Sequence, residues 1–205
     1  PCLQHLESSP FFCAHTRTLQ GMFDFYGRVL MSAQAVAMSQ VPAITQTLVR
    51  VFHSRSGASS SALQCASAIV EVLTQKPTPE LELFLSTLLL QNVQVLAGHA
   101  YAPPGSTSAD TIFGYESECI EKFFRFIYQY LLSCPHLLAD SPVLSQLYDL
   151  CTSCLTVCQE SGPLRLIFQV LQQSFYPQMR RMDPVIHQKL LAAAVTHGQQ
   201  LTYCL

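Results

Sequence analysis

The sequence predicts an all-α fold, specifically an α-α superhelix of HEAT type made of about four helical hairpins. Three observations carry this. Proline recurs where helices should begin, at Pro42, Pro79, Pro142 and Pro184, and three of these follow a capping residue directly: Thr78-Pro79, Ser141-Pro142 and Asp183-Pro184. Proline suits the first helical position because its missing N–H would be unpaired there anyway, and Thr, Ser or Asp can accept from the free N–H groups that follow. The starts are 37, 63 and 42 residues apart, and a loop-like stretch from Ala100 to Asp110 accounts for most of the long interval. A period of about 40 residues, with room for two helices in each, is the HEAT pattern. Lastly, apolar residues recur at helical spacing and no segment alternates with the period of two expected of a strand.

The elements follow in order. A first helix is expected from about Arg17 to Ala37, with Leu19, Phe23, Tyr26, Leu30 and Ala33 on one stripe, and a second from Val41 to about His53, burying Ile44, Leu48, Val51 and Phe52. Ser54 to Ser61 reads as a polar turn around Gly57. The third helix takes Ala62, Ala66, Ile69, Val70 and Leu73 inward and is broken by Lys76-Pro77-Thr78. The fourth, Pro79 to about Gly98, is apolar nearly all round, as a helix between two neighbours should be. A loop spans residues 99–111. In the fifth helix Ile120, Phe123, Phe124, Ile127, Tyr128 and Leu131 follow i, i+3, i+4, i+7, i+8, i+11, and Cys134-Pro135 should end it. The sixth aligns Leu144, Leu147, Tyr148, Cys151, Cys154, Leu155 and Cys158. The seventh, after Ser161-Gly162-Pro163, buries Leu164, Ile167, Phe168, Leu171 and Phe175, and the eighth runs from Asp183-Pro184 through Ile186, Leu190, Ala194 and Leu201.

Composition narrows the function. Charged residues make up 12% of the chain, about half the usual share. That suits a slice of a longer solenoid whose end repeats pack on neighbours, so residues 1–205 are expected to be one segment of such a chain. Net charge is −2 and the densest basic point is Arg180-Arg181, which leaves no electrostatic footprint for nucleic acid. No apolar run approaches the ~18 residues of a membrane helix. The nine cysteines fall mostly inside helical patterns, which argues for a reducing compartment.

The constellations that could carry chemistry are few. Cys151, Cys154 and Cys158, with Cys134 upstream, resemble a metal-ligand spacing. They share the apolar stripe of the sixth helix with Leu147 and Leu155, however, so core packing is the expectation. No paired histidines, phosphate loop or Gly-x-Ser-x-Gly occurs, and Ser8-Ser9 and Ser59-Ser60-Ser61 lack a recognisable partner. The chain is therefore expected to be no enzyme and to need no cofactor or metal.

Polar stripes are more telling. Glu118, Lys122, Arg125 and Gln129 share a face of the fifth helix opposite the phenylalanines, with an expected i, i+4 pair between Glu118 and Lys122. Arg165, Gln169, Gln172 and Gln173 do the same on the seventh, and Ser60, Gln64, Ser67 and Glu71 on the third. If alternate helices stack side by side, these stripes merge into one concave face. With Arg28 of the first helix, the expected protein-binding residues are Arg28, Gln64, Glu71, Glu118, Lys122, Arg125, Arg165, Gln169 and Gln172.

Several of these stretches, taken as a series, resemble the C-terminal region of the transportin-3/importin-13 branch of the β-karyopherins. The similarity lies in Thr47-Leu-Val-Arg-Val-Phe-His53, Pro79-Glu-Leu-Glu-Leu-Phe-Leu85, the helix Ile120 to Pro135, Val143-Leu-Ser-Gln-Leu147 and Gly198-Gln-Gln-Leu201, and it covers most of residues 20–205. The resemblance implies a HEAT superhelix that carries protein cargo through the nuclear pore under Ran-GTP control, shuttling between cytoplasm and nucleus, with nucleoporins as further partners. It also implies that Ran-GTP binds mainly to repeats outside this segment, and that the third, fifth and seventh helices line the concave side. One departure bears on cargo. The stretch Phe23 to Val36, equivalent to an arginine-rich helix that binds phosphorylated Arg-Ser segments in the branch, keeps only Arg28, whereas phosphate recognition needs clustered guanidinium groups. The alternative reading is a HEAT-type scaffold subunit of another intracellular assembly, without Ran dependence.

Overall fold

A computed structural model of the chain describes residues 16–33, 41, 43–44, 46–48, 59–74, 79–100, 111–112, 115–176 and 182–199. The fold is all-α. Its elements are α1 (Thr16–Ala33), helical residues at 41, 43–44 and 46–48, α2 (Ser59–Leu73), α3 (Pro79–Ala100), a minimal antiparallel pair β1 (Thr111–Ile112) and β2 (Tyr115–Glu116), α4 (Ser117–Ser133), α5 (Pro135–Ala139), α6 (Leu144–Val157), α7 (Ser161–Phe175) and α8 (Pro184–Thr196).

The helices fall into two rows. In one, α1 packs on α2, α2 on α4 and α4 on α7; in the other, α3 packs on α6 and α6 on α8. Because consecutive long helices from α2 onward alternate between rows, each hairpin contributes one helix to each. Apolar side chains between the rows form one core, running from Leu19 and Phe23 through Ile69, Leu88 and Phe123 to Ile167 and Leu190. The Tyr130 hydroxyl crosses from one row to the other and donates to the Leu85 carbonyl at 2.8 Å, with Tyr130 fully buried.

The proline starts behave as their chemistry requires. Pro79 and Pro184 open α3 and α8, and Asp183 Oδ1 accepts from the Val185 N–H at 2.7 Å. Ser141-Pro142 works differently: Ser141 Oγ accepts from Val143 N–H, its carbonyl accepts from Leu144 N–H, and the helix begins after this turn, at Leu144. Pro42 and Thr78 lie outside the described residues. Such a charge-poor chain carries many Ser and Thr on its helices, and these donate to carbonyls one turn back, as Ser67 does to Leu63, Ser86 to Glu82 and Ser174 to Val170.

Several expectations need correction. Cys134-Pro135 ends α4, but Pro135 also takes the first position of a further short helix, α5. The fourth predicted helix continues past Gly98 to Ala100, and Thr111 already belongs to β1, so the loop placed at 99–111 is shorter at both ends. Phe168, assigned to the core, is 44% exposed, while Phe126 and Tyr130, off the predicted stripe, are fully buried. The reason is the neighbourhood: α4 is covered by α2 on one side, α7 on the other and α3 across the rows, so three of its sides are inner sides. Gln173, assigned to a polar face, is buried. Val51, Phe52 and Leu201 lie outside the described residues.

Candidate protein-binding groove

Three of the predicted binding residues come together. Arg28 of α1, Gln64 of α2 and Glu118 of α4 line one groove of about 630 Å³ across three successive helices of the same row. All three are exposed. Asp24 and Ser32 join them from α1 and Ser61 from α2, while Phe23, Met31, Cys65 and Ala68 form the apolar part of the lining. Phe23 and Cys65 are at once groove lining and core, so the floor is held by the same packing that joins α1 to α2. Gly27 faces α2 at ordinary packing distance: a Cβ there would stand 4.0 Å from the Cys65 Cα, so the helices meet closely without requiring glycine.

The groove is suited to reversible binding rather than covalent chemistry. Burial, reinforced by the nearby Asp24 carboxylate, pushes the Cys65 thiol from its ordinary 9.0 to about 12, so it stays protonated and poorly nucleophilic at neutral pH. What remains is an amphipathic surface: two carboxylates, one guanidinium, hydroxyl and amide groups above an apolar floor. Asp24 and Arg28 sit at i, i+4 on one helix face, so both charges line the same groove.

The other predicted residues are accessible but do not line the groove. Glu71 continues the Gln64 stripe of α2 and is exposed. Lys122 and Arg125 continue the Glu118 stripe of α4, Lys122 half-buried and Arg125 exposed. On α7, the next helix of the row, Arg165 and Gln172 are exposed and Gln169 is half-buried. The ion pair on α4 is Glu121–Arg125 at 3.3 Å, not Glu118–Lys122. Glu121 is drawn toward the start of α7, where a side chain at Gly162 would collide with its carboxylate. A carboxylate is favoured at that helix N-terminus. Asp24, Ser32 and Ser61 belong to none of the predicted stripes; their signal in the sequence is helical register, Asp24 four before and Ser32 four after Arg28, and Ser61 three before Gln64.

Cys151, Cys154 and Cys158 are buried, unpaired thiols of α6 and its C-cap, as the apolar stripe requires. A hydrogen bond from the Cys154 thiol to Cys158 holds Cys154 protonated, and burial adds to this, while the same bond lowers the pKa of Cys158. Among the described residues, no group of three or more His, Cys, Asp or Glu is arranged to hold a metal ion. No described helix is long and apolar enough to cross a membrane. Neither a protein-family model, nor a curated protein, nor a solved structure matches the chain.

Proposed function

We propose that the chain is a protein-binding segment of a HEAT-type solenoid, and that the row α1-α2-α4-α7 carries its binding face. The carrying observation is the groove in which Arg28, Gln64 and Glu118 converge from three successive row helices. Stacked helical repeats bind through such extended faces, because each repeat contributes one strip of side chains. The resemblance to the transportin-3/importin-13 branch supports placing this segment in a nuclear transport receptor that moves protein cargo between cytoplasm and nucleus and releases or loads it on Ran-GTP. A scaffold subunit without Ran dependence is the alternative.

The test is capture of cargo from a nuclear extract by the full-length protein, with and without Ran-GTP. Ran-dependent loss or gain of bound proteins is the expected result, and capture indifferent to Ran-GTP favours the scaffold. Arg28→Glu with Glu118→Lys should weaken capture while the melting temperature stays within a degree or two, because exposed charges contribute little to folding. Reversing Lys122 and Arg125 to Glu tests the same face farther along α4. Normal capture by both variants overturns the assignment of the binding face.

A further inference from the structure

On the other row a second cluster goes beyond binding. Ser145 lies in the first turn of α6, Asp149 one turn later, and His197 at the C-cap of α8, 52 residues from Ser145 in sequence. The His197 ring spans the two: its Nδ1 is 3.0 Å from Asp149 Oδ1 and its Nε2 is 3.1 Å from Ser145 Oγ. With the proton on Nδ1 donated to Asp149, Nε2 is left to accept from the Ser145 hydroxyl. That is the order of nucleophile, base and orienting carboxylate found in serine acyl transfer, which is recognised by geometry and not by chain order. We infer that Ser145, His197 and Asp149 form a reactive-serine site that takes acyl groups from activated esters.

The surroundings fit. The His197 ring is stacked on Tyr148, with centroids 6.0 Å apart and planes 21° apart, and its side chain is 12% exposed. The helix that delivers it is fastened to its neighbours twice, by Lys189 to Asp140 and by the Tyr148 hydroxyl donating to the Leu190 carbonyl at 3.3 Å. Ser145 is exposed, so a substrate can reach it. In the first turn of α6 the Leu144 and Leu147 N–H groups donate to Ser141 and Val143 carbonyls, whereas those of Ser145 and Gln146 meet no acceptor among the described residues. As first-turn groups without an intrahelical partner, they are available to donate to an oxyanion formed at Ser145.

In the reaction Ser145 Oγ adds to the ester carbonyl carbon, its proton passes to His197 Nε2, and the carbonyl electron pair moves onto oxygen. Collapse breaks the bond to the alcohol, which leaves with the proton from His197. Water, deprotonated by the same imidazole, then displaces the acyl group as a carboxylic acid and restores Ser145. The side chain of Asp149 is 40% exposed, so the site is open and holds its substrate by little more than the reacting group. This points to small activated acyl esters and not to a long, enclosed substrate. Asp149 acts through His197 and is a positioning residue.

The experiment treats the whole chain with a fluorophosphonate probe, whose P–F bond is replaced by a Ser Oγ–P bond with loss of fluoride, and maps the adduct by peptide mass spectrometry. Ser145 should label about a hundredfold faster than exposed Ser32 and Ser161, the lower end of what a positioned base supplies. Ser145→Ala should remove the adduct, and His197→Gln should bring labelling down to the rate of Ser32. Asp149→Asn should slow labelling at least tenfold and shift its pH profile, a change that a purely structural role would not produce. Circular dichroism of each variant verifies that it is folded; if His197→Gln is not, the Asp149→Asn pH profile decides. Labelling of Ser145 no faster than Ser32, or unchanged in folded His197→Gln, overturns the inference.

Discussion

Tyr130→Phe is the sharpest test of the two-row architecture. Tyr130 is fully buried, its ring packs edge-on against Phe126 with centroids 5.0 Å apart, and its hydroxyl donates 2.8 Å across to the Leu85 carbonyl of α3. Burial, with a smaller contribution from Cys134, pushes the phenol well above its ordinary 10.0, so it is a neutral donor at neutral pH. The substitution leaves the ring and its apolar contacts in place. The Leu85 carbonyl keeps the i+4 N–H of its own helix, so it is not orphaned. The loss is therefore the net contribution of one neutral buried hydrogen bond, about 1 kcal/mol. In a chain of this size that corresponds to roughly 3 °C in melting temperature. Urea unfolding should show a lower midpoint at unchanged slope, because the surface exposed on unfolding is the same. Tyr148→Phe, whose hydroxyl is 3.3 Å from the Leu190 carbonyl, should cost less, about 0.5 kcal/mol. A Tyr130→Phe protein as stable as the parent would refute the inter-row bond. A loss above about 3 kcal/mol would show that Leu85 has no other donor.

Three more outcomes are expected. Cys154→Ser should destabilise by roughly 1–3 kcal/mol in chemical unfolding, because Cys154 is fully buried and a hydroxyl is costlier to take out of water than the thiol it replaces. Stability should fall above pH 9. Burial raises the Cys65, Cys119 and Cys134 thiols from 9.0 to about 12, so between those values the unfolded chain loses protons that the folded chain keeps. Stability is complete below pH 9 and is lost as pH rises toward 12, by at most about 1.4 kcal/mol per pH unit for each thiol, and a flat profile of unfolding midpoint from pH 8 to 11 would contradict the burial of these side chains. Gly21→Ala should stabilise by about 1 kcal/mol: Gly21 is an exposed position inside α1, and a Cβ there meets nothing within 4 Å. A lower melting temperature for this variant would mean that α1 is not a regular helix at that point.

What the sequence determined by itself is what depends on neighbours along the chain. A proline after an aspartate opens α8 because both act on the free N–H groups of the first turn, within two residues of each other. The spacing of Ile120, Phe123, Phe124, Ile127 and Leu131 sets them on one side of α4, and all five are buried. Cys151, Cys154 and Cys158 are buried for the same reason, their angular position beside Leu147. Periodicity gives an angle about the helix axis and nothing more. Which angles are covered is decided by the helices that arrive from elsewhere. Phe126 and Tyr130 are buried because α2, α3 and α7 close around α4, whereas Phe168 is left open on α7, beyond which no described helix of that row lies. The groove and the triad are tertiary for the same reason. Gln64 and Glu118 were visible as members of separate polar stripes and Arg28 as the one basic residue between Phe23 and Val36, but only the packing of α1, α2 and α4 sets them around one space. Ser145 and Asp149 stand one turn apart on α6 without meaning until α8 brings His197 between them, a contact across 52 residues that no local pattern encodes.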